Sequence, residues 1–170
     1  EIANFLLLAN STNSTIPNHC LDFHLKSNRP TDWRYVVCHL FPSGESSWQK
    51  ELPIEKWVQI FEFLAHKNIV VYLTGSKTDT NRFSKLLPNY KETKFLKSLI
   101  GLCNIAETAN WLQHAELVIS VNTGIMHLAD SLEKPLIALH GPTNPLRWGP
   151  ISKNAHIITA TTPCAPCLNL

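Results

Sequence analysis

From about residue 35 onward, short apolar runs rich in β-branched residues alternate with longer stretches whose apolar residues recur at helical spacing. The apolar runs predict strands at residues 35–40, 69–74, 117–120, 136–139 and 156–159. The periodic stretches predict helices that open at Pro53, and at residues 79–87, 104–114 and 124–132. This alternation indicates parallel strands joined by right-handed crossovers, and so an α/β, Rossmann-like doubly wound parallel sheet. Because such sheets bind ligands beyond the carboxyl ends of their strands, the loops after residues 40, 74, 120 and 139 are expected on one rim.

Local signals support several of these helix ends. Pro53 suits the first helical position, where no amide donor is needed. Asn104 with Glu107 has the spacing of a capping box. Pro88 is expected to stop the helix predicted at residues 79–87.

The first 34 residues differ from the rest, because residues 10–18 are rich in Asn, Ser and Thr. We therefore predict a leading segment and linker at 1–34 and one domain at 35–170. The 170-residue chain is 44% hydrophobic and 16% charged, without an apolar run long enough to span a bilayer. It also lacks a recognisable signal peptide, so a cytoplasmic protein with reduced thiols is expected.

Charge narrows the choice of ligand only slightly. The net charge of +2 comes from 15 basic and 13 acidic residues that are spread along the chain. A nucleic-acid partner is not expected without a basic cluster, whereas a phosphate-bearing ligand is compatible with this balance.

Residues 120–129 lead from an apolar strand through Asn122, Thr123 and Gly124 into a predicted helix. Gly124 permits close backbone approach, and Thr123 can cap the helix. The first-turn amides and the helix dipole then offer an anion site, to which His127 can add a hydrogen bond. The alternative is an ordinary capped turn with a structural histidine.

A second segment, residues 139–150, holds three prolines and two glycines directly after a predicted strand. A loop this constrained suggests a shaped ligand wall formed by Gly141, Pro142 and Thr143. A stiff connection without a ligand is the alternative.

Together these segments resemble glycosyltransferase family 9, the heptosyltransferases. That family carries an Asp-Thr-Gly-x-x-His-Leu segment followed by a Gly-Pro-Thr-Asp-Pro loop, and the intervening Lys134-Pro135 also matches. The resemblance covers residues 35–167 and implies the C-terminal half of a GT-B enzyme. It implies inverting transfer of heptose or a related sugar from an ADP-sugar to the lipopolysaccharide core, without a metal or other cofactor. The lipid-linked acceptor and the catalytic base would belong to an N-terminal domain that this chain lacks, so no catalytic residue is assigned here.

The resemblance also implies roles for individual residues. Ser46, Ser47 and Lys50 match the positions that hold the donor diphosphate, together with Asn122, Thr123, Gly124 and His127. Those that match the ribose and base side are Gly75, Ser76, Asp79, Leu102 and Cys103. Asp79 could equally be the N-terminal acid of the next helix.

The sequence departs from the family pattern at Asn122 and Asn144, where aspartates are usual. One alternative is a nucleotide-binding module without transferase activity, with Asn122 as the lesion. A second alternative is a GT-B transferase that uses a UDP-linked hexosamine. Cys164 and Cys167 resemble a Cys-x-Pro-Cys tail of the family, and one such pair is too few for a closed zinc site, so no metal is assigned. The implied location is the cytoplasm, with peripheral contact at the inner face of the inner membrane as an option.

Overall fold

A computed structural model describes residues 28–44, 47–163 and 165–167. Its strands are β1 Tyr35–His39, β2 Val70–Thr74, β3 Leu96–Ser98, β4 Leu117–Val121, β5 Leu136–His140 and β6 Ala155–Thr159. Its helices are α1 Ile54–His66, α2 Thr80–Leu86, α3 Ile105–Gln113, α4 Gly124–Ser131 and α5 Pro145–Trp148, with 3-10 turns at Ser47–Lys50 and Lys77–Asp79. Most of the predicted leading segment, residues 1–27, lies outside the described residues.

All six strands are parallel and lie in the order β3-β2-β1-β4-β5-β6. This is the doubly wound order of a Rossmann-like fold, and it confirms the predicted fold class. The strand order reverses between β1 and β4. A crevice between the carboxyl ends of these two strands is therefore the expected ligand site.

β1 is buried on both faces, which explains its uninterrupted apolar sequence. Val36 and Cys38 pack into the hydrophobic cluster that includes Trp57 of α1. Tyr35 and Val37 pack on the opposite face, in the cluster that includes α3 and α4 residues. The central strand is thus fixed from both sides, and so is the position of its carboxyl end.

The structure corrects several expected element boundaries. Pro53 is the N-cap residue of α1 rather than its first helical residue, and the helix starts at Ile54. The helix expected from residue 79 begins as a 3-10 turn at Lys77–Asp79 and becomes α-helical at Thr80. β3 and α5 were not predicted. β3 is a half-buried edge strand of three residues with a lysine at its centre, and α5 is a single turn capped by Asn144.

The predicted capping box of α3 is confirmed. The amide of Glu107 donates to Asn104 Oδ1 at 2.9 Å, and the amide of Asn104 donates to Glu107 Oε2 at 2.8 Å. Because both orphan donors are satisfied reciprocally, the start of this helix is fixed beside the carboxyl edge of the sheet. None of the helices within the described residues combines the length and the hydrophobicity needed to cross a bilayer.

Candidate functional site

A cavity of about 480 Å³ lies at the switch point, a volume in the range of small-molecule sites. Strand ends and the loops that follow them form its lining. The lining residues are His39, Phe41, Ser43, Thr74, Gly75, Ser76, Asp79, Cys103, Asn104, Ile105, Thr108, Thr123, Gly124, Ile125 and Leu128. The loops after β1, β2 and β4 therefore meet at one rim as predicted, whereas the loop after β5, which was also expected there, contributes no lining residue.

Six of the predicted site residues line this cavity, namely Gly75, Ser76, Asp79, Cys103, Thr123 and Gly124. Eight others lie outside its lining, namely Ser47, Lys50, Leu102, Asn122, His127, Gly141, Pro142 and Thr143. Ser46 falls outside the described residues.

The β2 side of the cavity is shaped by a capping box. Asp79 Oδ2 accepts from the amide of Ser76 at 2.8 Å and from its hydroxyl at 2.6 Å. Asp79 is therefore an N-terminal acid and a cavity-lining residue at once. Gly75 is tightly packed, because a Cβ added there would meet Ile100 and Phe41 side-chain atoms at 3.2 to 3.3 Å.

Arg82 ties this side to the loop after β1, a role that the sequence did not reveal. Its guanidinium pairs with Glu51, donates to Asp79 Oδ1 at 3.4 Å and donates to the carbonyl of Pro42 at 3.4 Å. It also lies 5.1 Å from the centre of the Phe41 ring. One planar side chain thus joins two loops that border the cavity.

The segment before α3 forms the next part of the rim. Cys103 lines the cavity, and burial raises the pKa of its thiol, with the carboxylate of Glu107 adding to the effect. Leu102 is 74% exposed and does not line the cavity. The two adjacent residues therefore differ, since only Cys103 contributes to the cavity wall.

The amino end of α4 closes the cavity on the β4 side. Thr123 is the N-cap residue, but its side chain makes no capping hydrogen bond, which corrects the capping role expected for it. Thr123 instead lines the cavity. A Cβ added to Gly124 would meet nothing within 4 Å, so the first-turn amides border open space. This geometry leaves helix amides and a dipole available to an anion.

His127 lies one turn into α4 and is partly buried. Burial lowers the pKa of its imidazole, and the carboxylate of Asp130 opposes that effect. A neutral imidazole beside the amino end of a helix can donate one hydrogen bond to an anion.

Lys50 belongs to the 3-10 turn Ser47–Lys50 that follows β1. Its ammonium donates to the carbonyl of Ser43 at 3.2 Å, and Ser43 lines the cavity. The positive charge therefore lies next to the cavity. The turn also contacts the predicted wall loop, since a Cβ on Gly141 would lie 3.5 Å from the carbonyl oxygen of Gln49.

Asn122 does not face the cavity but the wall loop. Its amide nitrogen donates to Thr143 Oγ1 at 2.7 Å and lies 3.4 Å from His140 Nδ1. Asn122 and Thr143 are both buried, and the exposed fraction of His140 is 2%. The wall loop is thus hydrogen-bonded to the residue that precedes Thr123 and Gly124.

His39 is a second cavity residue that the sequence did not reveal. It ends β1, is 5% exposed, and its Nδ1 lies 3.0 Å from Thr74 Oγ1. Burial lowers the pKa of this imidazole to about 4, although the carboxylate of Asp79 works against the shift. This imidazole, which forms part of the cavity floor, is therefore neutral near pH 7. A histidine at the end of an apolar run was the only sequence signal.

The described residues offer no ligand set for a metal ion. Within the described residues, no group of three or more His, Cys, Asp or Glu side chains is placed to hold a metal ion. Cys164 of the predicted tail lies outside the described residues, and Cys167 is exposed.

Two known proteins with similar sequences are both named as heptosyltransferases. The chain is 31% identical over 120 residues to lipooligosaccharide heptosyltransferase 2 of Haemophilus influenzae, which covers 69% of this chain and 34% of that protein. It is 27% identical over 164 residues to lipopolysaccharide heptosyltransferase 1 of Pseudomonas aeruginosa, covering 95% of this chain and 45% of that protein. The chain thus spans less than half the length of these curated relatives.

Solved structures agree with the observed architecture. The E. coli heptosyltransferase WaaC with ADP superposes with a TM-score of 0.71 at 28% identity, over 91% of this chain and 48% of that one. A glycosyltransferase family 9 protein from Veillonella parvula superposes with a TM-score of 0.75 at 17% identity, over 92% and 47% of the two chains, which supports the fold alone.

A family model covers all of the described residues. Residues 18–170 match the model of glycosyltransferase family 9 (heptosyltransferase). The match includes both motif segments and every loop that lines the cavity. This chain belongs to glycosyltransferase family 9.

Proposed function

We propose that the chain is the donor-binding part of a glycosyltransferase that transfers heptose, or a related sugar, from an ADP-sugar to the lipopolysaccharide core. The observation that carries the proposal is the cavity at the β1–β4 switch point, where Thr123 and Gly124 at the amino end of α4 face the loop of Gly75 and Asp79. Helix amides suit a diphosphate, and the opposite loop offers hydrogen-bonding groups for a nucleoside. The similar WaaC structures carry ADP or ADP-2-deoxy-2-fluoro heptose, which supports an ADP-sugar as the donor.

In the proposed reaction an acceptor hydroxyl attacks the anomeric carbon as the bond from that carbon to the diphosphate breaks. The bonding electrons leave with ADP, and a base takes the hydroxyl proton. Attack from the face opposite the leaving group gives inversion. This chain would stabilise the leaving diphosphate through Lys50, His127 and the amides of α4. The base and the site for the lipid-linked saccharide would lie elsewhere in the enzyme.

The positive charge and helix end are proposed to replace a metal ion at the diphosphate. We place the enzyme in the cytoplasm, with peripheral contact at the membrane that holds its acceptor. Cell fractionation tests this placement, and recovery of the protein in the periplasm would contradict it.

Titration calorimetry with ADP and UDP tests the donor site. We expect ADP to bind more tightly than UDP, and Lys50→Gln to weaken ADP binding about tenfold to a hundredfold, because a charge-assisted hydrogen bond contributes about 1.5–3 kcal/mol. Lys56→Gln is the matched control, since it removes the same charge from an exposed position on α1.

Turnover separates an enzyme from a binding module. Release of ADP from ADP-heptose in the presence of a heptose-deficient lipopolysaccharide acceptor is expected. ADP binding without turnover would instead favour a non-catalytic module, and preference for UDP would favour a UDP-sugar transferase. Equal losses in the two lysine variants would remove Lys50 from the proposed site.

A further inference from the structure

Three buried polar side chains form a hydrogen-bonded cluster at the carboxyl ends of β4 and β5. Asn122 Nδ2 lies 2.7 Å from Thr143 Oγ1 and 3.4 Å from His140 Nδ1. His140 Nδ1 in turn lies 3.2 Å from Thr143 Oγ1. His140 Nε2 is buried and has no hydrogen-bond partner among the described residues.

The chemistry of these groups gives the cluster a direction. An amide NH2 can only donate, so Thr143 Oγ1 and His140 Nδ1 both accept from Asn122 Nδ2. The Thr143 hydroxyl hydrogen is then free to be donated to Nδ1 as well. Because Nδ1 accepts, a neutral imidazole must carry its hydrogen on Nε2. The chain of hydrogen bonds thus runs from Asn122 through Thr143 to His140.

The surroundings favour an uncharged imidazole. Burial lowers the pKa of His140 to about 4, and the nearby imidazole of His127 on α4 adds to this effect, whereas a backbone hydrogen bond at Thr143 opposes it. The nearest anionic group on α4 is Asp130, whose two oxygens already accept the amides of Ile151 and Ser152. Neither Asn122 nor Thr143, the two hydrogen-bond partners of His140 in the cluster, carries a charge.

We propose that Asn122 and His140 are positioning residues, which hold the wall loop of residues 141–143 against the amino end of α4, and that the amide of Asn122 fixes His140 as its Nε2-protonated form. The aspartate usual at this position in the family can only accept, so it would draw the hydrogen to Nδ1 and reverse the chain. Asn122 is in this view a matched partner of His140 rather than a lesion of the site.

The consequence for ligand binding rests on the proposed donor site. Thr123 and Gly124 follow Asn122 directly, so a displacement of Asn122 moves the amides that are proposed to hold the diphosphate. A carboxylate at position 122 would also add negative charge beside that diphosphate.

Nitrogen-15 spectra of the histidine-labelled protein test the inference, with His140→Gln used to assign the signals. At pH 7 we expect His140 to show an unprotonated Nδ1 and a protonated Nε2. In Asn122→Asp the hydrogen should move to Nδ1, and the imidazole should gain its second proton at a higher pH than in the wild type. ADP binding by this variant should weaken about threefold to tenfold through like-charge repulsion.

Asn144→Asp is the matched control, because it adds the same charge one residue after Thr143 but outside the cluster. Its carboxylate can still accept the amide of Leu146, as Asn144 Oδ1 does at 2.9 Å. This variant should leave the protonated nitrogen of His140 unchanged. A change equal to that in Asn122→Asp would overturn the proposal.

The wild-type spectrum decides the point even if Asn122→Asp does not fold. A hydrogen on Nδ1 in the wild type would overturn the inference while leaving ADP binding intact. Absence of ADP binding by a wild-type protein with the expected spectrum would contradict the proposed function instead.

Discussion

At the scale of single residues, Arg82 offers a direct test of how the nucleoside side of the cavity is held. Arg82→Lys keeps the charge but loses the planar fork that reaches Glu51, Asp79 and the carbonyl of Pro42. We expect ADP binding to weaken about threefold to tenfold, because both loops lose a shared anchor. The free energy of unfolding should fall by only about 1 kcal/mol or less, since the side chain is 35% exposed. Calorimetry and urea unfolding measure the two effects.

Arg34→Lys is the matched control for this prediction. Arg34 pairs with Glu116 at 3.2 Å, with side chains 80% and 43% exposed, and it lies outside the cavity lining. This variant should change neither quantity measurably. A similar loss of ADP affinity in the two variants would show that Arg82 has no special role.

At the scale of elements, α4 is predicted to depend on Gly124 for ligand binding and not for folding. A Cβ at this position would meet no atom within 4 Å, so Gly124→Ala should fold normally. Its free energy of unfolding should stay the same or rise by up to about 1 kcal/mol, because Ala is the better helix former. The methyl group would, however, stand where a diphosphate must approach the first-turn amides. Binding of ADP should therefore weaken at least about tenfold.

Gly149→Ala provides the contrast for Gly124→Ala. A Cβ at Gly149 would clash with the backbone oxygen of Pro145, which cannot move aside without disturbing α5. This variant should lose stability in urea unfolding. If Gly124→Ala instead unfolds more easily and binds ADP as the wild type does, the amino end of α4 is a structural feature only.

The elements also show how much of the fold could be predicted from the sequence. Strands that are buried on both faces, such as β1, gave clear apolar runs, and the capping box of Asn104 and Glu107 is local in sequence. β3 escaped prediction because its stability comes from pairing with β2 and not from its own three half-buried residues. Local patterns were therefore sufficient for elements that carry their own signal.

The same distinction applies to the site. Thr123 and Gly124 could be predicted because a strand and a helix meet there within a few residues. Arg82 and Glu51 are 31 positions apart, and His39 and Thr74 are 35 positions apart. Neither pair leaves a local pattern, so only the folded sheet brings them together. The sequence also drew attention to Asn122, but its contact with Thr143 could not be predicted without the register of β4 and β5.

At the scale of the whole molecule, two neutral buried imidazoles should make the fold sensitive to acid. The pKa of His39 and that of His140 are both lowered to about 4 from an ordinary value near 6.5, in each case chiefly by burial. Between these values the unfolded chain binds more protons than the folded chain, so the free energy of unfolding rises with pH. This contribution is complete above about pH 6.5 and is lost as the pH falls toward 4. Each group can add a slope of at most about 1.4 kcal/mol per pH unit.

Urea unfolding of the wild type and of His39→Asn between pH 7 and pH 4.5 measures this contribution. The asparagine keeps a polar group near Thr74 Oγ1 but does not titrate, so the variant should lose less stability on acidification than the wild type. His66→Asn is the control, since it makes the same substitution at an exposed position on α1. Parallel curves for the wild type and His39→Asn would mean that His39 takes up its proton without unfolding, and that the floor of the cavity is open to water.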